Sequence, residues 1–481
     1  MGSLEDVIQG EELYRRLFGG NTRIIEYKKQ LLGKVWRLFK HRFSSSARID
    51  RVALIHVPNR VELLGKHTDY QGGETFLLTG PKNFFALAAP SSDGVTEMVN
   101  AHRFLGETVL RLGKEEPEIL EQGVGSNYTA AAVKRLCTNL NDSGFPPLEN
   151  IKAVFVGDIP FGGGTSGSSA KLIADFLCFA SVNGLLENDE FVSLVLKNGR
   201  KAGIKMGQQR IDDFLLCLSM YLAHFENGLN FGGLRGEGGV GTFGGSEDHT
   251  AIFLGKQHTL LYCRYCPTEL LESVEVWKDY RTVVAYSGKK AEKTSSAMEK
   301  YNRLSLYAAA AVRALNEINS SHHWLLREFF PDLTLEEKAR KAYRQILKAG
   351  KGDEIARRAY QFFKERGIME QAVSRVRQGD IRSYGELINA SHMLSRDYLG
   401  NIAPEVDFLQ AKAVELGACG ATGFGAGFGG SCYCVVPKDE VRSFIPRWQK
   451  EYLERFPRYK EAVQFDVYPA CRGCYWEVPG G

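Results

Sequence analysis

The chain lacks any run of roughly 18 consecutive apolar residues, the length a membrane-spanning helix needs, so no membrane partner is expected. It also lacks a strong charge of either sign: 61 Lys and Arg against 57 Asp and Glu leave +4 over 481 residues. A balance that small gives no reason to expect nucleic acid or a membrane surface, and it suits a small anionic substrate held by a few local cations. Cysteine is scarce, ten in all, and several sit inside apolar runs, as Cys178 does in LIADFLCFA. Such thiols read as reduced cysteines of a cytoplasmic protein, not as a disulfide framework. Two C-x-x-C pairs, Cys263/Cys266 and Cys471/Cys474, would offer four zinc ligands only if they met in space. With 15 Pro and 51 Gly the chain stays well short of low-complexity composition, and 44% apolar with 25% charged residues is ordinary for a globular protein. The opening MGSLEDVIQGEELYRR is acidic and polar, unlike a secretory leader.

What is present is a mixed order of helices and strands. Residues 1–48 have helical apolar spacing (LYRRLF, LLGKVWRLF) and end in the Ser-rich HRFSSSAR, which reads as an N-terminal helical extension and a linker. From Arg51 the text turns strand-like, with RVALIHVP, TFLLTG and FFALAAP, and later AIFLG, HTLLYC and TVVAY. Residues 293–380 are charged and helix-rich. Regular strand–helix alternation is missing, so an α+β fold is expected rather than a doubly wound sheet. The length suggests two large domains, here 49–250 and 251–481, with the boundary in the region 245–290.

Three glycine-bearing segments carry candidate chemistry. In Gly157–Ala170 a strand leads through Gly162, Gly163, Gly164 and Gly167 into a helix, with Ser166, Ser168 and Ser169 alongside. Glycines let backbone N–H groups approach an anion and the helix start adds partial positive charge, so this is a phosphate cradle. The Walker pattern is absent, and G-x-G-x-x-G is met both by Gly162, Gly164, Gly167 and by Gly425, Gly427, Gly430, which makes it uninformative. The segment Val57–Gly73 packs Arg60, Glu62, Lys66, His67 and Asp69 into ten residues, a set suited to a polyhydroxylated ligand or, more plainly, to a capped turn. The third segment, Gly420–Ser431, is either a glycine-rich hairpin or a loop that closes on a ligand.

Taken in order, the three segments resemble those of the GHMP small-molecule kinases, in the galactokinase-like branch. The family signature PGRVNLIGEHTDYNGG stands against PNRVELLGKHTDYQGG here, PxGxGLSSSA against PFGGGTSGSS, and GARMTGAGFGGC against GATGFGAGFGGS. GELINASHMLSRDYLGNIAPEVDFL is similar to the family helix between them, and the likeness runs from about Arg51 to Val436. The resemblance implies a two-domain GHMP-kinase-like fold: a mixed N-terminal sheet with helices, a ferredoxin-like C-terminal layer, and a site in the cleft. It also implies ATP and Mg²⁺, a sugar substrate, and phosphorylation of the anomeric hydroxyl of galactose.

Residue by residue, the resemblance implies Arg60 beside a base at Asp248, in a segment (Gly245 to His249) standing for the family's GIMDQ. From the residues alone Glu247 is an equal candidate. The metal would fall to Ser168 and Glu226, with Glu237 as the rival acid. Gly162, Gly164, Ser166, Gly167 and Ser168 would line the phosphates; Arg60, Lys66, His67, Asp69, Gly245, Asp248 and Tyr301 would face the sugar; Gly425 and Gly427 would close the pocket. Departures keep alternatives open. Glu62 replaces an Asn, Thr165 and Gly167 replace Leu and Ser, and Lys66 replaces the Glu that receives the hydroxymethyl end of galactose. An ammonium prefers an anion, which allows a uronic acid such as galacturonate; if Lys66 turns away or pairs with Glu62, neutral galactose remains. A sugar- and ATP-binding sensor without turnover is a further class, and oligomeric state is not legible.

Overall fold

The strand Ala53–Leu64 is buried along its whole length and pairs antiparallel with the 17-residue strand Glu74–Pro90, which unites the segments TFLLTG and FFALAAP. The computed structural model describes residues 4–101, 107–112, 117–121, 125–160, 162–207, 209–236, 239–291 and 296–478. Among them the large mixed sheet has nine strands, running Tyr475–Glu477, Ala53–Leu64, Glu74–Pro90, Ile151–Gly157, Thr96–Asn100, Glu107–Arg111 and Glu118–Glu121, with Thr259–Arg264 and Glu269–Glu275 joined at Glu74–Pro90. The smaller sheet has four antiparallel strands in the order Gly420–Phe424, Ser431–Pro437, Tyr280–Tyr286, Gln464–Val467. This is the expected α+β architecture with a large and a small sheet. No helix among the described residues is long and apolar enough to cross a membrane.

The chain passes from the large sheet to the small one between Glu275 and Tyr280, within the region 245–290, and Thr259–Arg264 and Glu269–Glu275 still belong to the large sheet. One expectation changes. AIFLG, read as a strand, lies mostly within the helix Glu247–Leu254. A short apolar run cannot be told from a buried helix by periodicity, and its neighbours Glu247 and Asp248 favour a helix start through the dipole.

One face of the large sheet packs on the helices Ser126–Asp142, Gly167–Val182, Arg210–Asn227 and Glu247–Leu254. The other face is covered by the N-terminal extension. Its helix Thr22–Phe43 starts at Asn21, whose side chain accepts from the N–H of Ile24, and ends on Lys40, His41 and Arg42, which suit the negative helix end. Ile25, Leu32, Val35, Phe39 and Phe43 recur at helical spacing and bury against Leu54, Phe85, Leu87, Val154 and Val156. A third core, built from Val61, Leu63, Leu78, Tyr433 and Val435 with the helices Asp353–Arg377 and Ile381–Leu394, ties the two sheets together.

The extension also reaches the phosphate-cradle segment. Lys28, 2% exposed, places its Nζ on Asn83 Oδ1 and at 2.8 Å from Asp158 Oδ2, two residues before Pro160. Burial lowers the Lys28 pKa and Asp158 offsets part of that cost. Lys28→Met leaves Asp158 without its buried cation, and the expected loss is about 3–5 kcal/mol, read as a lower urea midpoint. Adding Asp158→Asn removes the orphaned charge and is expected to restore most of it.

Candidate active site

Alternation along Ala53–Leu64 sends Val61 and Leu63 into the core between the sheets and Arg60 and Glu62 to the opposite face. There they line a cavity of about 440 Å³ with the cradle Gly162–Ser169, the start of the helix Glu247–Leu254, Glu226, Tyr301 and the loop at Gly425. Thus segments hundreds of residues apart meet: Arg60, His67, Asp69, Gly245, Asp248, Tyr301, Gly162, Gly164, Ser166, Gly167, Ser168 and Glu226 all border one space. Glu237 lies outside the described residues.

Arg60 is the centre of the charge arrangement. Its Nη2 lies 2.5 Å from both Glu247 Oε1 and Asp248 Oδ1, and its Nη1 donates to the carbonyl of Gly164 at 3.1 Å. Burial opposes the guanidinium charge, but Asp248, Glu247 and Glu62 outweigh it and hold its pKa above the ordinary value. The acids respond in the other direction. Burial pushes Glu62 up to about 7 against the pull of Arg60 and Lys66. It pushes Asp69 up to about 6, with the Tyr70 N–H opposing and Asp248 adding. Burial, reinforced by Glu62, raises Glu247.

Asp69 is fixed by the N–H groups of Tyr70 (2.9 Å) and Glu247 (3.4 Å). A side chain at position 245 would displace Asp69, since a Cβ there would stand 2.0 Å from Asp69 Oδ2. Burial, with Arg358 nearby, drives His67 down to about 3, so its imidazole is neutral; it meets the Ala426 carbonyl, the Tyr70 hydroxyl and, at 5.7 Å between centroids, the Tyr301 ring. The cradle and the closing loop touch backbone to backbone: a Cβ at Gly425 would lie 2.4 Å from the Gly164 oxygen, and Ser431 Oγ donates to the Gly163 carbonyl.

Two sequence expectations shift. Counting from Pro160 selected Ser168, which does border the cavity, but it is Ser169 whose hydroxyl lies 2.8 Å from Glu226 Oε2 and 3.2 Å from Asp248 Oδ2. Ser166 sits at φ +63° just before the helix Gly167–Val182, so the loop turns there and the helix register is set from Gly167 onward. Lys66, expected at the sugar, is buried outside the cavity lining, with Nζ on Ser391 Oγ at 2.6 Å. Glu365 holds it there: its carboxylate accepts from the N–H groups of Gly65 and Lys66 and from the same Ser391 hydroxyl. Glu62, Glu247 and Lys171 line the cavity without having been chosen as site residues, although the acidity of Glu62 and Glu247 was visible. Among the described residues no group of three or more His, Cys, Asp or Glu side chains forms a metal centre, so the C-x-x-C pairs do not build one there.

A family model described as the galactokinase galactose-binding signature matches residues 37–90, and one described as GHMP kinases C terminal matches residues 369–454. A galactokinase of Fusobacterium nucleatum is 28% identical over 423 residues, 87% of this chain and 93% of that one. A galactokinase of Limosilactobacillus reuteri is 27% identical over 417 residues, 83% and 89% of the two chains. The crystal structure of Lactococcus lactis galactokinase complexed with galactose superposes with a TM-score of 0.70 at 21% identity, covering 92% of this chain and 99% of that one. Mevalonate kinase of Methanococcus jannaschii follows at 0.53 and 14%, covering 87% and 98%.

The raised Glu62 pKa has a sign that can be checked. The native state keeps a proton on Glu62 to about pH 7, whereas the unfolded chain releases it near 4.5, so this group costs stability as pH rises. Buried neutral His56 and His67 act in the opposite sense at acid pH, so the effect is read by difference. Calorimetric melting of the wild type and Glu62→Gln is expected to converge towards pH 4 and to separate in favour of the variant between pH 5 and pH 8.

Proposed function

Since the chain belongs to the galactokinase-like branch of the GHMP kinase superfamily, we propose that it transfers the γ-phosphoryl group of ATP to the anomeric hydroxyl of galactose, giving galactose 1-phosphate and ADP. What carries this is the junction at Asp248: one carboxylate oxygen on Arg60 at 2.5 Å, the other 3.2 Å from Ser169 in the first turn of the helix that follows the phosphate cradle. A proton acceptor, a fixed cation and a phosphate site converge there, as phosphoryl transfer from ATP to a hydroxyl requires.

In this reading the sugar lies against His67, Asp69, Gly245 and Tyr301, with its anomeric hydroxyl at Asp248. The hydroxyl oxygen forms the new bond to the γ-phosphorus, the bond from that phosphorus to the bridging oxygen breaks, and ADP leaves. The hydroxyl proton passes to Asp248. Arg60 pairs with Asp248 and stabilises negative charge on the group in flight. Gly162, Gly164, Ser166 and Gly167 present the loop and helix start to the phosphates. Neutral His67 is suited to a hydroxyl ligand.

The donor set also fits Mg²⁺. The Ser169 hydroxyl within reach of both Glu226 and Asp248 makes a cluster of hard oxygens, and Ser169 with Glu226 would hold the ion alongside the phosphates. Bound there it would neutralise charge on the β- and γ-phosphate oxygens. With the ammonium of Lys66 drawn to Ser391, the ground for a uronic acid is removed.

Galactose-dependent ADP release from ATP with Mg²⁺ tests the reading. Asp248→Asn is expected to lower kcat by roughly 10²- to 10⁴-fold; binding of galactose and ATP by the wild type with no ADP released would make the protein a sensor instead. Ser169→Ala is expected to raise the Mg²⁺ concentration for half-maximal rate about tenfold or more, and Ser168→Ala to change it far less.

A further inference from the structure

Glu62 is 1% exposed and borders the cavity, and its two oxygens have different fates. Oε2 accepts from the N–H of Gly425 at 2.8 Å. Oε1 is buried and has no hydrogen-bond partner among the described residues, and the same holds for Oε2 of neighbouring Glu247. Arg60 does not supply the missing donor through Nη1 or Nη2, which are committed to the Gly164 carbonyl, Glu247 and Asp248. Lys66, four residues on, has turned to Ser391. A buried acceptor left without a donor is destabilising, a cost that a ligand hydroxyl would remove. The Ser169 and Glu226 side of the cavity is the phosphate end, where an added carboxylate would repel ATP; Glu62 stands on the strand that also carries Arg60, facing the closing loop at Gly425.

We infer that Glu62 is a specificity-determining residue of the sugar site: in its ionised form it is a buried acceptor that takes a hydrogen bond from a hydroxyl of a neutral hexose and rejects anionic sugars. The inference rests on the sugar-kinase reading above. Its rival is that Glu62 does no more than clamp the backbone of Gly425. Glu62→Gln separates the two, because glutamine keeps an oxygen for the Gly425 N–H and replaces the free acceptor with an NH₂ donor.

Binding of galactose and galacturonate is measured by calorimetry, and ADP release with each sugar by steady-state kinetics, for the wild type and Glu62→Gln, at pH 8, where Glu62, raised to about 7, is ionised. The wild type is expected to bind galactose about 100-fold or more tighter than galacturonate. In Glu62→Gln, galactose affinity is expected to fall about tenfold, with the loss in KM rather than kcat and with KM for ATP unchanged. The preference for galactose over galacturonate is expected to narrow about tenfold or more. Unchanged galactose affinity, or an equal loss in KM for ATP, overturns the inference and leaves the clamp. A wild type that binds galactose without releasing ADP sinks the kinase reading alone, because the calorimetry still decides Glu62; a wild type that binds neither sugar sinks both.

Discussion

One buried guanidinium organises the cavity. Arg60 enters from the strand Ala53–Leu64 of the large sheet and is gripped by two carboxylates from the start of one helix and by a carbonyl of the glycine cradle. Each contact restrains a different segment: Glu247 and Asp248 fix the helix start, and Gly164 fixes the loop. Without that cation, acids this close together in a buried space would protonate or push apart. The same logic explains why Glu62, Asp69 and Glu247 all have raised pKa values, since one guanidinium is shared among more acids than it can neutralise. A charge-rich pocket of this kind is costly for a folded chain on its own and is made for ligands that bring donors and cations.

The glycine segments serve that pocket by allowing contact that side chains would block. Gly164 and Gly425 come from opposite sides of the cleft and meet backbone to backbone, and Ser431 donates across the same seam to Gly163. The seam couples the small sheet to the cradle, while the core of Val61, Leu63, Tyr433 and Val435 couples it to the strand bearing Arg60. The closing loop is therefore positioned by apolar packing on one side and by the cradle on the other. The N-terminal extension does a related task from behind, where Lys28 grips Asp158 just ahead of Pro160.

Much of this was legible in the sequence, and the failures have physical causes. The cradle, the Arg60 segment and the helical extension were visible because glycine clusters, dense polar turns and 3.6-residue spacing are local signals. The meeting of Asp69 with Gly245, and of Gly164 with Gly425, was not local, and only the family resemblance linked them. The contact of Ser169 with Glu226 was not legible, because the loop bends at Ser166 in a left-handed conformation that no spacing rule shows for a serine. AIFLG was misread because the last six residues of its helix, His249–Leu254, are all buried and show no exposed polar face to reveal the period.

Lys66 is the most instructive case, because the sequence shows its charge and leaves its direction open. A lysine in place of a glutamate signals an anionic ligand only if the ammonium stays in the pocket. Here Glu365, 299 residues away in sequence, binds the backbone at Gly65 and Lys66 and the Ser391 hydroxyl that receives the ammonium. The reversed charge is thus absorbed behind the cavity wall. Meanwhile a carboxylate stands inside the wall at Glu62, where the family pattern has an amide. The two departures are complementary: a carboxyl group that the family pattern has at position 66 reappears four residues earlier, and the cation that stands in its place lies outside the cavity lining. Judged singly, each substitution points to a changed substrate; judged together and in three dimensions, they preserve a carboxylate among the groups that face the ligand.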